Sequence, residues 1–380
     1  MSSANEGQNP RLKEYKGLSR SQYWGILFAI LVIGLIWSTM TKKTDKQTSK
    51  QEVKFSQTER KYPIMGTFAR IMLFGKKQML VDQAADRVMD IFENIQSTCN
   101  IFDPDSELSR LNQTAYDRPF KCSPQLWSFL EVSRKAYQLS DGAFDITARP
   151  LMKLWGFYSK RGNLPSAAEI KKAESKIGLD KVIFNDEEKT VKFTVKGMSF
   201  DLGGIAKGIA VQAAANAVMK MGVKSGIIDL GGNMFCLPKP PLNRPGSEAY
   251  LIGIRNPLHT QQIMGVVEML DQAVATSGNY ERYVTIDGHH YTHIMDPRTG
   301  KPVEDMLSVT IVTPNAGDAD FLSTAVFIRG EQFARDILKK FKDTGIIIIR
   351  RCKQNKKKLE LLKLGTFQKG IRMQPTEKIK

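Results

Sequence analysis

Cysteine and histidine are both scarce, at four each in 380 residues. Cys99, Cys122, Cys236 and Cys352 lie far apart, with no C-x-x-C pair and no metal-ligand spacing. This excludes a small disulfide-stapled scaffold and leaves the redox compartment open. No nucleic-acid module, Walker A loop or G-x-G-x-x-G fingerprint occurs. Acidic residues are in deficit, 39 against 56 Lys and Arg, for a formal charge of +17. Much of that excess belongs to the two ends of the chain, so it describes flanks near a membrane better than a nucleic-acid groove. With 42% hydrophobic and 25% charged residues, the chain has the apolar mass for a substantial core.

Charge is missing altogether from Ser21 to Met40, and Tyr23 to Trp37 is almost continuously apolar. About 20 such residues span a bilayer. A cleaved signal peptide is the competing reading, but Ser38-Thr39-Met40 is a poor cleavage site and no cysteine follows to carry a lipid. Tyr23, Trp24 and Trp37 stand where interfacial anchors belong. The expected organisation is a short N-terminal segment (1–20), a transmembrane anchor (21–40), a flexible polar tether (41–60), a folded domain (61–349) and a basic solvated tail (350–380). Basic residues flank the span on both sides, so charge alone does not orient it. A short segment before a single anchor favours the inner (plasma) membrane with the folded domain on the extracytoplasmic side.

The body alternates period-2 apolar runs with helical stretches, which predicts a mixed α/β (α+β) domain. Helices are expected over 79–98, 126–139 and 205–221, strands over VIFND, EEKTVKFTV and MSFDL, and a further strand from Gly226 to Leu230. Asp-Leu-Gly-Gly occurs at 201–204 and 229–232, expected each time to close a strand; coincidence and internal duplication both fit.

Four clusters carry chemistry. Asp201-Leu-Gly-Gly-Ile-Ala-Lys207-Gly runs through paired glycines into a helix start, where backbone N–H groups and Lys207 suit an anion; a plain tight turn fits equally. Asp141-Gly-Ala-Phe-Asp145 could border a ring-shaped ligand, or Phe144 could be core. The third cluster is Ala275-Thr-Ser-Gly-Asn-Tyr-Glu-Arg-Tyr283, a hairpin signal at Asp287-Gly288 and Tyr291-Thr-His293-Ile-Met-Asp296-Pro-Arg-Thr-Gly300. His290 and His293 would face opposite sides of a strand with no thiolate near, which argues against zinc. Finally, Asp320 and Thr324 share one helix face, as hard oxygen ligands for magnesium or as a carboxylate in an early turn and a hydroxyl bonded to its own backbone.

Taken together these clusters resemble the ApbE family, the FAD:protein FMN transferases, from about Tyr62 to Gly330. Met65-Gly-Thr67, Phe102 to Asn112, Gly142-Ala-Phe-Asp145 with Leu154-Trp-Gly156, and Asp201 to Gly208 carry the resemblance, with Ile228 to Gly232, Ala275 to Gly278, His293 to Gly300, Asp320 and Thr324. The resemblance implies a two-lobed fold with flavin between the lobes, and FAD surrounded by Met65, Ala143, Phe144, Asp145, Asp201, Lys207 and Ile294. It implies Mg²⁺ held by the Gly204 carbonyl, Asp320 and Thr324; the family often has an acidic residue where this chain has Ser323. The implied reaction moves FMN from FAD to a Thr or Ser hydroxyl of an acceptor flavoprotein subunit of a membrane redox complex, releasing AMP. His293 is then the expected base, with a histidine filling a hairpin face as the competing view, and Lys207 the expected catalytic cation. FAD hydrolysis to FMN and AMP, and a non-catalytic flavin-binding assembly role, are the alternatives.

Overall fold

The computed structural model describes residues 55–159, 162–244, 246–352 and 358–373. The expected anchor at 21–40 lies outside them; among the described residues no helix is long and apolar enough to cross a membrane.

The fold is organised by one antiparallel sheet whose eight strands are β1 (Ser56–Ile64), β2 (Thr67–Gly75), β3 (Ser225–Leu230), β4 (Asn233–Cys236), β5 (Gln272–Gly278), β6 (Met306–Thr313), β7 (Gly345–Arg351) and β8 (Leu359–Gly365). Spatial order equals chain order from β1 to β8, a meander interrupted by long excursions. Four helices position the site: α1 (Gln78–Cys99), α2 (Pro124–Ser140), α3 (Ala206–Lys220) and α4 (Ala316–Ile337). Helix α3 packs between α1 and α4, and this layer covers one face of the sheet. On the other face lies a three-stranded sheet, Tyr250–Arg255, Ile263–Met269 and Ile371–Met373.

Period-2 alternation, interrupted in β6 by an irregularity between Met306 and Ser308, sorts β6 and β7 between two cores. Val309, Ile311, Ile346 and Ile348 join the helix-side core, while Leu307, Val312, Ile347 and Ile349 meet Ile252, Val267 and Met269 on the other side. All eight residues of β6 are buried, the hydroxyls of Ser308, Thr310 and Thr313 together with its apolar side chains. A third small sheet (Phe120–Lys121, Val182–Asn185, Thr190–Phe193) stands beside α2. Its Phe193 shares a single continuous core with α1, α3 and α4, so the expected two lobes rest on one common core.

Three expectations need correction. The folded part starts before Lys61: residues 56–60, assigned to the tether, form the first half of β1, paired with β2 from Ser56↔Gly75 onward. An edge strand is held by main-chain bonds and needs few apolar side chains, so its composition hid it. The basic stretch from 350 is not all solvated tail, because β8 pairs with β7 and Ile371–Met373 pairs with Gly265–Val267. MSFDL is no strand, and Asp201-Leu-Gly-Gly therefore does not close one. The Asn112 side chain replaces the ladder there, its Nδ2 donating to the Phe200 carbonyl (2.9 Å) and its Oδ1 accepting from the Phe200 N–H (2.7 Å), while the Asp201 N–H donates to the Ile146 carbonyl.

Candidate active site

The site is built where α3 starts against α4. Helix α3 has no side-chain cap of its own. Instead the Gly208 N–H, an orphan donor in its first turn, donates to Asp320 Oδ2 at 2.8 Å. This crossing is close: a Cβ on Gly208 would stand 2.3 Å from the Ala316 carbonyl oxygen and 2.5 Å from Asp320 Cβ. Asp320 is 4% exposed, and burial pushes its carboxyl up from the usual range, against the opposing pulls of Lys207, the Gly208 N–H and the adjoining Asn233 amide. Lys207 Nζ lies 3.8 Å from Asp320 Oδ1 and donates to the Gly203 carbonyl at 3.4 Å. One turn beyond Asp320, Thr324 Oγ1 is 3.3 Å from Ser277 Oγ on β5, and Ser277 Oγ is 2.8 Å from Ser323 Oγ. A Cβ on Gly204 would lie 4.0 Å from Thr324 Oγ1 and 3.1 Å from the Phe144 ring, so Gly204, Thr324 and Phe144 meet at one point.

Phe144 arrives there because α2 ends sharply. Its start is held by Glu107, whose carboxylate accepts from the Ser123 N–H and hydroxyl, both at 2.6 Å. At its end Asp141 and Gly142 adopt left-handed φ of 54° and 73°, and the Gly142 N–H returns to the Tyr137 carbonyl. Phe144 then packs edge-on against Phe321, 6.1 Å between centroids, while Ala143 is fully covered. Asp145 turns elsewhere: its Oδ1 accepts from the Thr147 N–H and hydroxyl. Burial pushes its carboxyl up to about 6 against those two bonds. It lines a cleft of about 320 Å³ with Asp141, Glu174, Asp180 and Arg298, to which Lys207, Asp320 and His293 do not contribute.

Asp201 holds the glycine pair. Its Oδ1 accepts from the Gly203 N–H (2.8 Å) and its Oδ2 from the Tyr158 hydroxyl (2.6 Å). Phe102, 71% exposed, stands edge-on to Tyr158 at 5.9 Å.

His293 follows the hairpin Tyr283–Ile286/His289–Thr292, which turns at Asp287-Gly288 as expected. Its Nδ1 lies 3.0 Å from the Arg282 carbonyl, which can only accept. Nδ1 therefore carries the proton and Nε2 the lone pair. Burial, first, and the charges of Arg282 and Lys207 push His293 down to about 4, against the carbonyl bond that supports its cation. The Arg282 guanidinium reaches the Gly66 carbonyl at 3.4 Å, beside Met65, whose own φ is 51°. Ile294 is buried in the helix-side core.

The sequence-expected residues thus fall into one tight group, Gly204, Lys207, Asp320, Thr324 and Phe144, with Asp201 holding the loop beneath. Arg282 links His293 to the Met65-Gly66 turn, the charge of Lys207 reaches His293, and Asp145 faces its own cleft. Sequence reasoning gave no role to Arg282 and Ser277, although both lie in the Ala275–Tyr283 run, and missed Tyr158 and Asn233, of which Tyr158 carries no local signal.

The donor set suits a hard cation. Asp320 Oδ2 accepts from the Gly208 N–H and Oδ1 lies 3.8 Å from the Lys207 ammonium, with the Asn233 amide beside the carboxylate, and the neighbouring groups are a hydroxyl and a backbone carbonyl. Among the described residues no cluster of three or more His, Cys, Asp or Glu has metal-binding geometry.

A helix start, paired glycines, a lysine and a buried carboxylate form a group able to take a phosphate-bearing ligand, with Asp320 able to hold a cation beside it. Residues 65–348 match the ApbE family, and the chain belongs to it. Two relatives, each called FAD:protein FMN transferase, are 30% identical over 275 residues (Vibrio cholerae; 71% of this chain, 80% of the relative) and 29% identical over 339 residues (Treponema pallidum; 86% and 91%). Among solved structures, the ApbE protein of Thermotoga maritima aligns with a TM-score of 0.71 at 27% identity, covering 85% of this chain and 99% of that one.

Proposed function

We propose that this protein transfers FMN from FAD to a Thr or Ser hydroxyl of another protein, forming a phosphoester and releasing AMP. The observation that carries the reading is the His293 imidazole, held through Nδ1 on the Arg282 carbonyl so that Nε2 is left to accept a proton, within reach of the charge of Lys207, which itself stands beside Asp320. Family membership supports it, as does the name its relatives bear.

The pyrophosphate of FAD is dianionic and repels nucleophiles, so the site must neutralise and position it. Lys207 and the glycine loop before α3 supply positive potential, and Met65, Phe144 and Asp201 stand nearest the nucleotide, with Ala143 and Ile294 buried behind them and Asp145 in a cleft of its own. Gly204, Asp320 and Thr324 would hold Mg²⁺, which when bound neutralises phosphate charge and supports the leaving group. His293 Nε2 accepts the hydroxyl proton; the hydroxyl oxygen bonds to the FMN phosphorus; the bridging P–O bond breaks and its electron pair departs with AMP. Water in place of the hydroxyl would make the same site an FAD pyrophosphatase. The acceptor is a flavoprotein subunit of a membrane redox complex, and the 21–40 segment anchors the enzyme beside it at the inner membrane, with the catalytic domain on the extracytoplasmic side.

The test is intact-mass spectrometry of a Thr-bearing acceptor domain incubated with the full-length protein, FAD and Mg²⁺, beside an acceptor in which that Thr is Val. Covalent FMN on the Thr form alone supports the reading. AMP formed without flavinylated acceptor marks a hydrolase, and no AMP at all marks a flavin-binding role.

A further inference from the structure

Arg282 stands out because its charge is left over. Among the described residues no carboxylate lies within ion-pair distance of its guanidinium, and its one hydrogen-bond partner is the Gly66 carbonyl at 3.4 Å. The adjacent Glu281 is 4.0 Å from Arg255 instead. The residue is exposed, so no burial requirement explains this arrangement. Its own carbonyl meanwhile receives both the N–H (3.1 Å) and Nδ1 (3.0 Å) of His293. The side chain is thereby tied at the base of the hairpin, between the Met65-Gly66 turn and the proposed base. Lys207 approaches the same histidine from α3 but is partly neutralised by Asp320, whereas Arg282 keeps its full charge. A planar guanidinium matches two phosphate oxygens at once, a geometry that a lysine cannot reproduce.

Resting on the flavin-transfer reading, we infer that Arg282 binds the phosphoryl group of the flavin nucleotide beside His293, selecting phosphorylated flavin over the bare ring system. It draws the FMN phosphorus toward the hydroxyl that His293 deprotonates. It neither gives nor takes a proton: the new bond runs from hydroxyl oxygen to phosphorus, the broken one from phosphorus to AMP, and the proton leaves on His293.

The test compares the wild-type full-length protein with Arg282→Gln and Arg282→Lys, measuring FAD and riboflavin binding by flavin fluorescence and competition by inorganic pyrophosphate. Every substitution keeps the main-chain carbonyl that orients His293, so folding and tautomer are retained, and thermal unfolding checks this. Arg282→Gln should weaken FAD binding tenfold or more, leave riboflavin within twofold and raise the pyrophosphate needed for competition by a similar factor, with Arg282→Lys in between. Equal weakening of both flavins, or no change in either, overturns the assignment while the flavin reading stands. Wild-type protein that prefers riboflavin to FAD, or binds neither, overturns that reading and the assignment with it. Wild-type binding that pyrophosphate does not displace overturns the assignment independently of any variant.

Discussion

His293 is kept neutral by the same surroundings that fix its tautomer. Half-buried near Arg282 and Lys207, with its Nδ1–H on a carbonyl, it is ready to take a proton at neutral pH. Replacing it with Ala should lower kcat for transfer by about 10²–10⁴, the usual range for a positioned base, while FAD affinity stays within about twofold. Unchanged turnover would remove the base assignment. With its titration pushed down to about 4, transfer should hold from neutral pH to about pH 5 and fall below that; a pH profile of kcat checks this. Asp145 works in the opposite sense. Its carboxyl is raised to about 6, so the unfolded chain ionises first, and its contribution to stability is present below about pH 4 and lost as pH rises through 6. Asp145→Asn, whose amide oxygen still accepts from Thr147, should therefore gain stability relative to wild type between pH 4 and 7. Parallel urea melts read this directly, and a constant difference would contradict it.

Elements were legible where their own periodicity decides them. The helices over 78–99, 124–140 and 206–220 and the hairpin at Asp287-Gly288 follow from apolar spacing or turn chemistry within a few residues. What stayed hidden depends on partners distant in sequence. MSFDL has the pattern of a strand, but an Asn112 amide 88 residues away occupies its ladder groups. β1 is polar and β8 is a short apolar patch set in a basic stretch, and both become strands by pairing at the edges of a preformed sheet. The start of α3 likewise depends on α4, whose Asp320 substitutes for a missing cap. Gly208→Ala should force these helices apart, since the new methyl would meet a backbone carbonyl that cannot yield. The expected loss is about 1–3 kcal/mol by urea denaturation. Wild-type stability would show that the crossing has slack.

At the scale of the whole molecule, the sheet and its helices fix the distance between parts of the site that lie far apart in the chain. Met65 enters from the β1–β2 turn, Phe144 from the end of α2, Lys207 from α3, His293 from beyond the hairpin and Asp320 from α4. The motifs naming these residues were readable in sequence because glycine pairs, Asp-Gly turns and the Asp320–Thr324 spacing have local physical meanings. Tyr158 and Asn233 were not, because only folding aims them. The C-terminal strands belong to the same frame. Ending the chain at Arg350 would remove β8 and the Ile371–Met373 strand, leave β7 as a bare apolar edge and uncover the second core around Ile347 and Ile349. Such a truncation should aggregate on expression, and a soluble, active product would contradict the role given to these strands. The central claim, transfer rather than hydrolysis, is tested most directly by counting AMP released against acceptor flavinylated in the same reaction, with and without the Thr-bearing acceptor. One AMP per covalent FMN, with AMP release depending on acceptor, is the predicted result; AMP accumulating at the same rate without acceptor would contradict it.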